Sequence, residues 1–220
     1  MKRIDIELSG DYYGSYLKDI QKKLNNKYSL HGAHHRNLNT FIQAQVLQLH
    51  DQAMVLDAGC GLSIWLTSNI ESKIRYTGVD CQSEAIAFCE SVYSHRDYRL
   101  ADLYDLPFND GTFDMVVMRE VIEHLRMPDK AVNEICRVLK PQGIFLLTTP
   151  NYGNPLLYVI EHTYNRFFGG PCKPYLPDVH PSKFNRGSLH RLLKDRFLSV
   201  ELGSVNMRIN LTAIAKNPIK

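Results

Sequence analysis

The run Val55-Leu56-Asp57-Ala58-Gly59-Cys60-Gly61 limits what this chain can fold into more than any other stretch. An apolar run ends in an acid, and two glycines follow at a spacing of two. Without Cβ, Gly59 and Gly61 can take dihedrals closed to other residues, and a ligand can lie directly against their backbone. The pattern predicts a strand that stops, turns tightly and passes the chain to a helix. Open α/β sheets bind nucleotides at such turns, at the carboxyl ends of their strands. A second apolar stretch, Tyr76-Thr77-Gly78-Val79, ends in Asp80, nineteen residues after Gly61. An acid there can accept both hydroxyls of a ribose. Together the two features predict a nucleoside site.

The chemistry narrows the nucleoside. A dinucleotide fingerprint places glycine at the third position of G-x-G-x-x-G, where the helix packs closely and the pyrophosphate rests on its N-terminus. Ile64 stands there instead. A P-loop requires Gly-Lys-Ser/Thr, and Gly61-Leu62-Ser63 has no lysine. Asp57 beside the turn would repel an anion and attract an ammonium or sulfonium cation, directly or through water. S-adenosylmethionine offers ribose, adenine, an ammonium and a sulfonium.

The rest of the series runs in order. It comprises Gly78-Val79-Asp80, Ala101-Asp102-Leu103, Leu106-Pro107-Phe108, Gly111-Thr112-Phe113-Asp114-Met115-Val116-Val117, Glu120-Val121-Ile122-Glu123-His124-Leu125, Arg137-Val138-Leu139-Lys140-Pro141-Gln142-Gly143 and Thr149-Pro150-Asn151. Taken with Val55–Gly61, it resembles the class I S-adenosylmethionine-dependent methyltransferases, strongly over residues 50–155 and more weakly to either side. The relatives it is similar to include quinone-precursor O-methyltransferases and RNA 3′-terminal 2′-O-methyltransferases. The resemblance implies a Rossmann-like α/β fold, with a seven-stranded, mostly parallel sheet, helices on both faces and an antiparallel C-terminal strand. It also implies S-adenosyl-L-methionine as cofactor, held by Asp57, Gly59, Gly61 and Asp80. Cys81 would touch the adenine-ribose region. Asp102 would accept from the adenine amino group, with Leu103 against the ring. Arg36 stands where an arginine of related enzymes reaches the methionine carboxylate.

Repeated strand–helix alternation supports a parallel sheet independently of the resemblance. Strands are expected at 53–57, 75–79, 97–101, 113–118 and 143–149, with a hairpin near 197–203 and 208–216. Helices are expected at 62–70, 83–92, 119–125, 129–139 and 186–195. Residues 1–50 read as an N-terminal helical cover, with two helical stretches parted by a polar loop around Leu30–Asn37. The methyltransferase domain would then occupy 51–220. Residues 150–185 break the rhythm with six prolines among Tyr152, Tyr158, Tyr164, Phe167, Phe168 and Tyr175. Disordered segments lack aromatics, so this stretch reads as a lid over the acceptor.

At 220 residues, 44% hydrophobic and 22% charged, the chain has the composition of an ordinary globular protein. A net charge of +3 without blocks of like charge makes no case for nucleic acid. Arg186, Arg191, Lys194 and Arg196 read as one solvated helix face. No apolar run approaches the roughly 18 residues of a membrane span, and Ile4-Asp5-Ile6-Glu7 interrupts any signal-peptide core. A cytoplasmic location is the expectation. Five cysteines without a C-x-x-C pair agree with reduced thiols.

The acceptor turns on Glu120, Glu123 and His124. At i, i+3 and i+4 they would share one face of a helix just after the fourth strand, beside the donor methyl. Glu120 and His124 are the candidate catalytic groups. In the RNA methyltransferases of similar sequence a later histidine completes a metal site, and His180 occupies comparable surroundings. Glu120, Glu123, His124 and His180 would then hold a divalent metal, against the alternative that they only line an organic pocket. The expected reaction is methyl transfer to an oxygen or nitrogen of a small-molecule acceptor. The alternatives are a metal-dependent RNA 2′-O-methyltransferase and a non-catalytic module that only binds the cofactor.

Overall fold

A computed structural model describes residues 15, 18–19, 22–26, 28–159 and 180–219. The strands are β1 (Ala53–Ala58), β2 (Ile74–Asp80), β3 (Asp97–Leu100), β4 (Phe113–Arg119), β5 (Leu139–Pro150), β6 (Phe197–Val205) and β7 (Asn210–Pro218). The helices are α1 (Leu30–Val46), α2 (Ser68–Glu71), α3 (Ser83–Val92), α4 (Pro128–Val138), α5 (Pro155–Val159) and α6 (Arg186–Lys194). One sheet takes the order β3-β2-β1-β4-β5-β7-β6. Neighbours from β3 to β5 pair in parallel, and β7 runs antiparallel to both β5 and β6. The expected architecture is present, with the hairpin at its C-terminal end.

Alternating side chains of each strand face opposite sides of the sheet. On one side Leu56, Val116, Met118, Phe145 and Leu147 pack with Val132 and Ile135 of α4 and Leu189 and Leu193 of α6. On the other, Val55, Met115, Val117 and Leu146 pack with Ile42 and Val46 of α1, Ile86 of α3 and Trp65. Both faces are therefore dry, as a largely parallel sheet requires. The register sets Asp57 level with Gly78 and Val117, so the carboxyl ends of β1, β2 and β4 finish together.

Three local expectations differ from the structure. Residues 62–67 are irregular, and only Ser68–Glu71 is helical. Ser63 takes φ +50°, and the carbonyls of Ile64 and Trp65 accept from Asn39 Nδ2 and Gln43 Nε2 of α1. Side chains of another helix thus take groups that a helix would have used internally. The stretch expected as a helix at 119–125 is a 3₁₀ turn, Ile122–His124, preceded by Glu120 at φ +54°. Glu120 therefore does not share a helical face with Glu123 and His124. Finally, the polar segment Leu30–Asn37 is the first half of α1, not a loop, capped by Ser29, whose hydroxyl accepts from Gly32 N. His34 and His35 are half-buried against Asn206 and Arg119 at the sheet end, while His31 is exposed. Of the helical stretch expected before α1, residues 15, 18–19 and 22–25 are described and are helical, while most of the lid, including Tyr164, Phe167, Phe168 and Tyr175, lies outside the described residues.

Leu146 sits fully buried at the centre of β5. Leu146→Ala should lower the unfolding free energy by about 2–5 kcal/mol. Urea titration should show a lower midpoint with an unchanged slope.

Candidate active site

The glycine turn is built for close approach. Gly59 adopts φ +79° and Gly61 φ +48°. A Cβ on Gly59 would stand 2.6 Å from a Val121 methyl, so the chain after β4 closes against it. Among the described residues, chain neighbours aside, no atom lies within 4 Å of where a Gly61 Cβ would be, so there that side of the turn has room for a ligand. The N–H groups of Gly59 and Cys60 both donate to Val79 O at 2.9 Å, tying the turn to β2. Gly61 N donates to Asp80 Oδ2 and Gln82 N to Asp80 Oδ1, each at 3.0 Å. The carboxylate is thereby fixed at the rim, and each oxygen keeps a further lone pair. Open space beside a fixed, partly exposed acid suits a ribose diol.

Asp57 occupies a different level. It is 1% exposed, beneath the turn. Trp65 Nε1 and Tyr76 OH both donate to its Oδ2, at 2.8 and 2.9 Å. Burial raises its pKa to about 6, with those two donors and the Arg119 charge pulling the other way. Tyr76 is bonded in turn to Ser63, Ser63 to Tyr98, Tyr98 to Arg96, and Arg96 to Glu71. Cys81 is exposed just past β2. Asp102 is exposed and accepts from Tyr104 N at 2.9 Å. Leu103 beside it is 7% exposed, within the core on one face of the sheet.

Another polar group of side chains lies beyond β4. Glu120 N donates to Thr148 O, and Glu120 Oε2 accepts from Asn210 Nδ2 at 2.7 Å. Its Oε1 is buried with no hydrogen-bond partner among the described residues. Glu123 is 1% exposed and accepts from Thr149 Oγ1 at 3.0 Å. Burial, helped by the Glu120 charge, pushes the Glu123 carboxyl well above the usual range. His180 reaches this place because Ser182 donates twice to the 3₁₀ turn, from N to Glu123 O and from Oγ to Leu125 O. The rings of His124 and His180 meet edge to face with centroids 4.6 Å apart, and His180 Nδ1 is bonded to Tyr152 OH. Burial lowers the His180 pKa to about 4. One ligand atom each from Glu123, His124 and His180 falls within 4.8 Å of the others. Of the four residues expected around a metal, the structure brings these three together. Glu120 lies outside that group, turned toward β7.

Sequence reading missed a second polar cluster over the same end of the sheet. Arg119 Nη2 meets His35 Nδ1 at 2.6 Å, and His35 Nε2 meets His31 Nε2 at 3.0 Å. Asn206 Nδ2 contacts the backbone and ring of His34 and donates to Asn210 Oδ1, while its Oδ1 accepts from Asn37. Asn206, Met207 and Arg208, in the turn between β6 and β7, all have positive φ. Asn154 and Asn151 donate to the carbonyls of Met207 and Arg208. A charged Arg119 closing the apolar run Met115–Met118 was a usable signal. Nothing marked Asn206 or Asn210.

Asp57 supplies a pH test. Its folded pKa of about 6 lies above the ordinary 3.8, so its contribution is fully present below pH 4 and lost as pH rises through 6. At neutral pH the cost is about 3 kcal/mol at most. Asp57→Asn should remove this slope. The stability difference between variant and wild type, followed by urea unfolding from pH 4 to 7, should drift in the variant's favour.

Residues 56–147 match the family model described as a methyltransferase domain. A probable S-adenosylmethionine-dependent methyltransferase of Mycolicibacterium smegmatis is 32% identical over 147 residues, 67% of this chain and 52% of that protein. The fatty-acid O-methyltransferase of the same species is 33% identical over 137 residues, 59% of this chain and 47% of that protein. The chain spans about half the length of these relatives. A crystal structure from Pyrococcus horikoshii superposes with a TM-score of 0.66 at 20% identity, over 89% of this chain and 93% of the other. At that identity the likeness is one of fold. Sequence matched from Leu56 to Leu147 and backbone matched over most of the chain agree, and the chain belongs to the class I S-adenosylmethionine-dependent methyltransferases.

Proposed function

We propose that this protein transfers the methyl group of S-adenosylmethionine to an oxygen of a small-molecule acceptor bound beside Glu123, His124 and His180. The convergence of those three side chains next to the glycine turn carries the reading. The name of the M. smegmatis fatty-acid O-methyltransferase favours oxygen over nitrogen. In the donor site, Asp80 would accept from the ribose hydroxyls, and Cys81, Asp102 and Leu103 would frame the adenine. The donor brings a methyl carbon already activated by its sulfonium. The residues here need to align the acceptor and exclude water, and such positioning supplies roughly 7–11 kcal/mol of a barrier.

A hydroxyl acceptor must also lose its proton. His180 is suited to act on that proton, because burial keeps its ring neutral and Tyr152 fixes its orientation. The same carboxylate and two imidazoles have the donor types of a divalent-metal site. In that case Glu123, His124 and His180 would hold a cation, which, in place of His180 taking the proton, would lower the acceptor's pKa and hold neighbouring hydroxyls in place.

Labelled donor, tested against pooled hydroxyl metabolites and short RNA, should mark small molecules. Chelator should reduce turnover at least about tenfold and added magnesium, manganese or zinc restore it; His180→Ala should cost about 10²–10⁴-fold. Full turnover in chelator, with metal-free protein, would leave the three residues as substrate contacts alone. Label appearing only on RNA would replace the small-molecule reading. For the donor site, Asp80→Ala should lose charge-assisted hydrogen bonds of about 1.5–3 kcal/mol each. Calorimetry with S-adenosylhomocysteine measures that loss, and unchanged affinity in a folded variant would remove Asp80 from the site.

A further inference from the structure

We propose that Arg119, oriented by His35, binds the carboxylate of the donor's methionine end. The inference rests on the donor lying at the Gly59 turn. Asp57 pairs with Val117 across β1 and β4, so Gly59 and Arg119, each two residues further on, emerge side by side at the carboxyl end of the sheet. The guanidinium grows from a strand whose backbone is paired to Thr148 of β5, which fixes its base. It is partly exposed, within electrostatic reach of Asp57 below and of Glu120 and Glu123 beside it.

The choice of partner is informative. His35 is held neutral, its pKa driven down to about 2 by burial first and the Arg119 charge second. A neutral ring can only accept at Nδ1 from the guanidinium, which places its proton on Nε2, facing His31. A neutral imidazole therefore orients Arg119 without itself adding a counter-charge. A guanidinium has five N–H donors in a planar fork, matched to a carboxylate. The donor's amino-acid end is a zwitterion beside a sulfonium. Asp57 and Asp80 supply negative charge for its cationic part, and Arg119 supplies the positive charge its carboxylate needs.

Arg36, the arginine that sequence suggested for this task, is engaged elsewhere. Its Nη1 donates to the carbonyls of Leu24 at 2.7 Å, Asn26 at 3.1 Å and Lys23 at 3.4 Å, in the segment before α1. The duty has a better-placed candidate in the strand.

Two ligands separate this role from a structural one. S-adenosylhomocysteine carries the carboxylate, and 5′-methylthioadenosine lacks the whole amino-acid end. By calorimetry, Arg119→Met should weaken S-adenosylhomocysteine about 10- to 100-fold and leave 5′-methylthioadenosine unchanged. Arg119→Lys should recover part of the loss. His35→Ala should weaken only S-adenosylhomocysteine, by a smaller factor, and His35→Gln, which keeps an acceptor, should restore it. Equal weakening of both ligands by Arg119→Met, or of neither, would overturn the assignment. A wild-type protein that binds neither ligand would overturn the donor site itself, and this inference with it.

Discussion

A carboxylate without access to water, Asp57 under the turn that follows β1, organises most of what surrounds it. Burying such a group is costly unless hydrogen bonds meet it. Trp65 and Tyr76 meet it on one oxygen. To bring its indole back, Trp65 must leave the helical path, so residues 62–67 run irregularly and present their carbonyls sideways. Asn39 and Gln43 of α1 take those carbonyls. That attachment fixes α1 on one face of the sheet with its N-terminal half at the carboxyl end, and with it the position of His35 on Arg119. One buried charge thus decides how the N-terminal helix sits over the site.

The parts of this arrangement that were legible in sequence are those with a local cause. Strand spacing, the two glycines and the acid at Asp80 follow from apolar periodicity and from backbone conformations that other residues rarely adopt. What escaped reading has causes remote in sequence. Residues 62–70 look helical until Asn39 and Gln43 are placed against them. His34 and His35 look like a solvated loop until Asn206 and Arg119 appear opposite. Glu120 looks like the first member of a helical trio, but its positive φ turns it toward Asn210. Each miss is a polar side chain satisfied across the fold, and no window of neighbouring residues contains that information.

The two ends of the cleft are built differently. The end proposed for the donor rests on the backbone of a short turn, pinned by N–H groups on Val79 and Asp80. The end proposed for the acceptor is a stitching of side chains from distant segments: Thr149 on Glu123, Ser182 on the 3₁₀ turn, Tyr152 on His180. A backbone site tolerates little change, since the cofactor's shape is fixed. A site assembled from side chains can be recut by single substitutions without disturbing the sheet. That division fits a family in which one donor serves many acceptors.

The turn between β6 and β7 places three consecutive non-glycine residues, Asn206, Met207 and Arg208, in left-handed conformations. Each costs of order 1–3 kcal/mol, and the hydrogen bonds that offset this come from α1, from Asn151 and Asn154, and from Asn210. The turn is therefore a joint where two neighbouring segments are clamped against the chain's own preference. Glycines there would relax the joint and make the isolated fold easier to hold, while freeing α1 from the hairpin. Thermal stability and grip on the helix would then move in opposite directions, so selection for robustness alone would tend to erase this turn.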